Sequence, residues 1–237
     1  MLPLPDSADY IPYDAPGDPI GFAPDFAETP EPYGEPDQRI LSTIGAEPSV
    51  KRVLDVAGGY GRYAIPLLNI GLDVELLDIH WASLVEARRR AELCVTPHTR
   101  LNTWHCDVLR SSFPALRGVD AALSVGFVHH LTEDAAVHVI GQTVKCLKSF
   151  GLILIEFATE KYRRRPDGTP IRVNGDNEQN MRYEDGIMLL RKAFEVAGCV
   201  DLCLNMAPIR IRQGDFWYDS IDIIASARRG PALAESL

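Results

Sequence analysis

The sequence contains no uninterrupted apolar run of 18 residues, the length a helix needs to cross a bilayer, so no membrane span is expected. The opening Met1-Leu2-Pro3-Leu4-Pro5-Asp6 lacks the basic and long apolar stretches of a secretory signal, and a cytoplasmic setting is expected. Cysteine is sparse. The five, at positions 94, 106, 146, 199 and 203, are odd in number and show no ligand-like spacing with His or Cys. They read as reduced thiols, with no disulfide framework and no metal site. Clustered positive charge is also missing. Residues 1–37 hold nine acids and neither Lys nor Arg, which leaves 24 acidic against 24 basic residues in the other 200. A nucleic-acid surface needs concentrated positive charge to neutralise phosphates, so none is expected. The short run Arg163-Arg164-Arg165 reads as a solvated loop.

What is present divides the chain into three parts. Residues 1–37 carry nine of the seventeen prolines, which excludes a long helix or a central strand there. The segment also carries Tyr10, Tyr13, Phe22, Phe26 and Tyr33, more aromatic content than a disordered tail shows. It reads as an acidic arm that packs its rings on the body as a lid; a mobile tail is the plainer alternative. Residues 38–228 read as one α/β domain, and 229–237 as a tail.

Within the domain, strands and helices alternate. A short helix is expected at 38–44 with Asp37 as its cap. Strands are expected at 53–57, 74–77, 101–106, 121–125, 152–157, 200–206 and 221–225. Helices are expected at 62–69, 81–93, 132–148 and 183–197, with irregular connections at 159–182 and 207–218. The alternation predicts a doubly wound, mostly parallel sheet of seven strands. The last two strands lack an intervening helix and should form an antiparallel hairpin.

The chemistry-bearing residues fall at the expected strand ends. The first strand runs into Asp55-Val56-Ala57-Gly58-Gly59-Tyr60-Gly61-Arg62 just before a helix. Glycines there allow a sharp turn and close approach of a ligand, and the helix presents unpaired N–H groups. Gly59 to Ala64 also fits G-x-G-x-x-A, which keeps a nicotinamide-dependent oxidoreductase open as an alternative. The second strand ends at Asp78-Ile79, the third leads to Asp107-Val108, and the fourth ends at Ser124 before Phe127-Val128-His129-His130-Leu131.

Together these four strand ends resemble class I S-adenosylmethionine-dependent methyltransferases. The resemblance covers residues 50–160 by motif and 180–227 by layout. It departs from the family pattern at Ala57, which replaces the first motif glycine. It implies that Asp55, Ala57, Gly58, Gly59, Gly61, Asp78, Ile79, Asp107, Val108 and Ser124 hold the cofactor. Asp55 would sit near the methionine ammonium, Asp78 on the ribose hydroxyls, and Asp107 at the adenine amino group. The loop Ser124-Val125-Gly126-Phe127 lacks the prolines of amino-methylating nucleic-acid enzymes, and so points to a small-molecule acceptor. His129 and His130, at the carboxyl edge of the sheet, are candidate general bases. Tyr10, Tyr13, Phe127, Glu156 and Trp217 are candidate substrate contacts, with Glu156 a rival base. Phe216-Trp217-Tyr218 suit a planar or aromatic acceptor of specialised metabolism. A monomer or homodimer is expected, and a non-catalytic cofactor-binding subunit is the remaining alternative.

Overall fold

The computed structural model describes residues 35–94, 98–110, 113, 114, 116–170, 181–213 and 216–231. The sequence expectations for Tyr10, Tyr13 and most of the acidic arm lie outside these residues. Helix α1 (Gln38–Gly45) starts where expected. Asp37 is extended, and its side chain accepts the Arg39 N–H at 2.7 Å. That pairs one of the amides a helix leaves open at its start. Ile40 and Ile44, one turn apart, form the buried stripe of α1.

From there the chain alternates: β1 (Arg52–Val56), α2 (Ala64–Asn69), β2 (Asp73–Asp78), α3 (Trp81–Ala91), β3 (Leu101–His105), β4 (Val119–Val125), α4 (Glu133–Cys146), β5 (Leu147–Arg164), α5 (Tyr183–Val196), β6 (Cys199–Gln213) and β7 (Phe216–Arg229). All seven strands join one sheet in the order β3-β2-β1-β4-β5-β7-β6. The pairs from β3 through β5 are parallel, while β7 runs antiparallel between β5 and β6. This is the expected doubly wound sheet with its terminal hairpin.

The sheet buries both faces, and strand parity decides which face each side chain meets. Leu54, Val56, Leu77, Ile153, Ile155, Phe157 and Ile223 pack with α4 and α5. Val53, Val74, Leu76, Leu123, Leu152, Leu154 and Ile224 pack with α1, α2 and α3. Continuing that alternation, Asp55, Asp78, Glu156 and Asp222 point to the α1–α3 side.

Three expectations need correction. Helix α2 begins at Ala64 rather than Arg62, because residues 57–63 are spent on a turn in which Ala57, Gly59 and Gly61 have positive φ. Thr132 precedes α4 in extended conformation, yet its side chain makes no capping hydrogen bond. The largest difference concerns the last three strands. They run well past the expected ends, so 159–164, 207–213 and 216–220 are strand rather than loop. The segment Ile209-Arg210-Ile211-Arg212 alternates with period two, as a half-buried strand does. Pro208 reads as a breaker, but β6 is the edge of the sheet, where a proline is tolerated. A bulge between Thr159 and Tyr162 bends the extension as it leaves the sheet.

Candidate functional site

The turn after β1 is built around one buried carboxylate. Gly58 passes so close to Asp55 that a Cβ at Gly58 would lie 2.5 Å from the Asp55 carboxyl carbon. Any larger residue there would force the Asp55 carboxylate to move. At Gly59, with φ of 58°, a Cβ would meet nothing within 4 Å, so the turn opens onto free space. Ala57 holds φ of 57° without being glycine, a conformation that costs an L-residue roughly 1–2 kcal/mol.

Asp78, at the end of β2, ties this turn down. Its carboxylate accepts the Gly59 N–H at 2.8 Å and the His80 N–H at 2.7 Å. Both oxygens are therefore engaged, each with a second lone pair to offer. Asp107 follows β3 and accepts the Leu109 N–H through Oδ1 at 3.0 Å. Its Oδ2 is buried and makes no hydrogen bond among the described residues, though Arg110 Nε forms an ion pair with it at 3.8 Å; Asp55 Oδ2 and Ser124 Oγ are likewise buried without a hydrogen bond. Three buried polar atoms without a hydrogen bond along one sheet edge are unusual, because each costs desolvation energy. They mark a place shaped for a polar ligand. Ile79 is half-buried beside them and Val108 is buried.

The electrostatics agree. Burial, reinforced by the Asp78 charge, pushes the Asp55 carboxyl up to about 7, with the Arg62 charge pulling the other way. Burial also raises Asp78. A cationic ligand group next to Asp55 would restore its ionised form.

Further along the edge, Glu156 follows Val125 in register across β4 and β5, and its carbonyl accepts the Gly126 N–H at 2.8 Å. Two strand spacings, about 10 Å, separate β1 from β5, and Asp55 and Glu156 lie on the same face of the sheet with β4 between them. Asp222 on β7 lies on that face too, paired in register with Ala158 and held by the Ser220 hydroxyl at 2.8 Å. Burial and the Asp222 charge push the Glu156 carboxyl up to about 7, while Arg62 and Arg39 pull it down. Tyr63 Oη accepts the Asp37 N–H at 3.0 Å, which ties the start of α1 to α2, and the Asp37 and Arg39 charges both act on Glu156.

His129 and His130 form a tight turn after β4 together with Val128, their rings 3.9 Å apart. His129 is buried, its Nδ1 has no partner among the described residues, and burial holds its pKa well below the ordinary value. Phe127 is half-buried against the α4–α5 core. Trp217, also half-buried, sits out on the extension, in register with Arg164 and Arg212. The structure therefore gathers the motif residues, Ser124, the two histidines and Glu156 at one edge, and places Trp217 apart from them. Sequence reasoning missed Arg62, Asp222 and Arg39. Arg62 was visible as the residue closing the glycine motif. Asp222 carries no local signal, because only the β5–β7 pairing brings it to Glu156.

Comparison with known proteins adds the following. Residues 53–151 match the family model described as methyltransferase domain. No curated protein matches the sequence. Among solved structures, the chain resembles a protein studied for conversion of a disulfide bond into a thioacetal group during echinomycin biosynthesis. The TM-score is 0.64 at 18% identity, covering 85% of this chain and 84% of that one. It also resembles magnesium protoporphyrin IX methyltransferase from Synechocystis PCC 6803, solved with S-adenosylhomocysteine, with TM-score 0.58, 15% identity and coverage of 81% of each chain. A third similar structure is the [4+2]-cyclase SpnF, with TM-score 0.57, 16% identity and coverage of 81% and 80%.

Proposed function

We propose that this chain, a class I Rossmann-like methyltransferase by its sheet and by the methyltransferase domain matched at residues 53–151, transfers a methyl group from S-adenosylmethionine to a small-molecule acceptor. The observation that carries the reading is the buried, unpaired Asp55 Oδ2 beneath the glycine turn. A dinucleotide pyrophosphate would be repelled by that carboxylate, whereas an ammonium would satisfy it. The same fold also carries a cyclase, so fold alone does not assign the reaction.

The residues present fit the cofactor. Asp55 would take the ammonium, with Ala57, Gly58, Gly59 and Gly61 letting the backbone approach. Asp78 would use its second lone pairs for the ribose hydroxyls. Asp107, beside Ile79 and Val108, would accept from the adenine amino group, and Ser124 would lie under the methionine portion. When bound, S-adenosylmethionine supplies a methyl group already activated on a sulfonium. The chain's own work is to align the acceptor, exclude water and take a proton. Good alignment supplies roughly 7–11 kcal/mol of the barrier. Glu156 is the better proton acceptor, since a carboxyl near 7 is matched to neutral pH. His129, neutral and far less basic, forms a wall of the acceptor pocket with His130 and Phe127.

The test is transfer itself. Purified protein, methyl-labelled S-adenosylmethionine and a library of small planar acceptors should yield products heavier by one labelled methyl. Acceptor conversion without label transfer would overturn the reading in favour of another reaction on this fold.

A further inference from the structure

The extension formed by β5, β6 and β7 carries a second cluster that the site above does not use. A shallow surface cavity, largely open to solvent, is lined by Tyr162, Arg164, Pro208, Arg210, Asp219 and Ser220 among others. Strand register explains the grouping. Tyr162 and Arg210 both pair with Asp219, and Arg164 pairs with Trp217 two residues away. Asp219 lies in ion pairs with both guanidiniums: Arg210 Nε donates to Oδ1, and Arg164 Nε is 3.2 Å from Oδ2.

The pairing is incomplete. Arg164 Nε is buried, and no hydrogen bond satisfies it among the described residues, because its N–H is not directed at the carboxylate. Among the described residues, two cations share one anion here. The guanidinium fork matches a carboxylate or phosphate in two parallel bonds. Asp219 holds both forks in place before a ligand arrives, which reduces the ordering cost of binding. Ser220, at the cavity wall, donates to Asp222, the neighbour of Glu156 on the same face. Side chains alternate along β7, so Asp219 and its two arginines lie on the α4–α5 face of the sheet, while Ser220 and Asp222 lie with Glu156 on the α1–α3 face.

We propose that Arg164 and Arg210, positioned by Asp219, form an anion subsite on the α4–α5 face of the extension, for a ligand that carries a carboxylate or phosphate. The anion site does not depend on the methyltransferase reading. It also gives Arg164, read from sequence as part of a solvated loop, a defined partner and task.

The experiment is calorimetry on the full chain, alone and saturated with S-adenosylhomocysteine. The probes are 2-naphthyl phosphate, 2-naphthoate and neutral 2-naphthamide. At least one anionic probe should bind at least tenfold tighter than the amide, with affinity falling as salt rises. A phosphate preference assigns a phosphate ester, and a carboxylate preference assigns a carboxylic acid. Arg164→Gln and Arg210→Gln should each lose at least tenfold in anion affinity while S-adenosylhomocysteine affinity stays within twofold. Arg164→Lys, which keeps the charge but not the fork, should fall between. Anionic and neutral probes binding equally, no anionic probe binding, or unchanged affinity in both glutamine variants would overturn the subsite. Loss of S-adenosylhomocysteine binding with the anion preference intact would instead overturn the methyltransferase reading.

Discussion

The two ends of the carboxyl edge solve opposite electrostatic problems. At β1–β3 the acids are buried, accept backbone N–H groups and leave oxygens without a hydrogen bond, so Asp55 is pushed up to about 7. On the β5–β7–β6 extension the acid is paired with arginines, and Asp219 is held below its ordinary range chiefly by the Arg210 hydrogen bond. The first region stores unsatisfied polarity that a specific ligand can relieve. The second has satisfied its acid with two arginines. A site built by desolvation is selective for one cation in one place, while a site built by exposed ion pairs is tunable by salt and tolerant of shape.

The largest effect that would sharpen the contrast comes from Asp78→Ala. It removes the acceptor for Gly59 and His80 and the expected ribose contacts, so S-adenosylhomocysteine affinity should fall about 100-fold, at roughly 1.5–3 kcal/mol per charged hydrogen bond. Unchanged affinity in titration would detach Asp78 from the ligand. Next, Glu156→Gln should lower turnover about 100-fold with cofactor affinity retained. In the parent, turnover should rise with pH through about 7 as Glu156 ionises, and the glutamine variant should lose that limb. A variant with the same pH profile as the parent would move the proton acceptor elsewhere.

Asp55→Asn tests burial itself. A carboxyl raised from its unfolded value near 4 to about 7 binds a proton more tightly in the folded state, so folded stability declines as pH rises across that window. The asparagine variant should lack this decline and exceed the parent in stability above pH 7 by an amount on the order of 2 kcal/mol, while binding cofactor less well. Denaturant melts at pH 5 and pH 8 read the difference; parallel pH dependence in the two proteins would contradict it. The smallest effect is at Ala57→Gly. Relief of a left-handed alanine should raise stability by about 0.5–1 kcal/mol, visible as a small upward shift of the melting temperature.

The same two regions differ in how far they could be read in advance. Asp55, Gly58, Gly59 and Asp78 sit at strand ends within short stretches, where apolar runs stop and glycines follow, so order along the chain reports position in space. The hairpin was foreseen from the missing crossover helix, but its length was not. Pro208 within the segment obscured the Ile-Arg alternation of β6. Asp222 and Asp219 became site residues only through pairing with strands some sixty residues earlier, which no local pattern carries. The expected substrate role of Trp217 stays a proposal, and its place on the extension ties it to the anion subsite rather than to the glycine turn.

The central claim is that the β1–β4 edge holds S-adenosylmethionine, and its most direct test is calorimetric titration with S-adenosylhomocysteine, with NADH run in parallel. The account predicts micromolar binding of S-adenosylhomocysteine that weakens below pH 7 as Asp55 takes up a proton, and none of NADH. Binding of NADH alone would contradict it and return the Gly59–Ala64 turn to a nicotinamide cofactor.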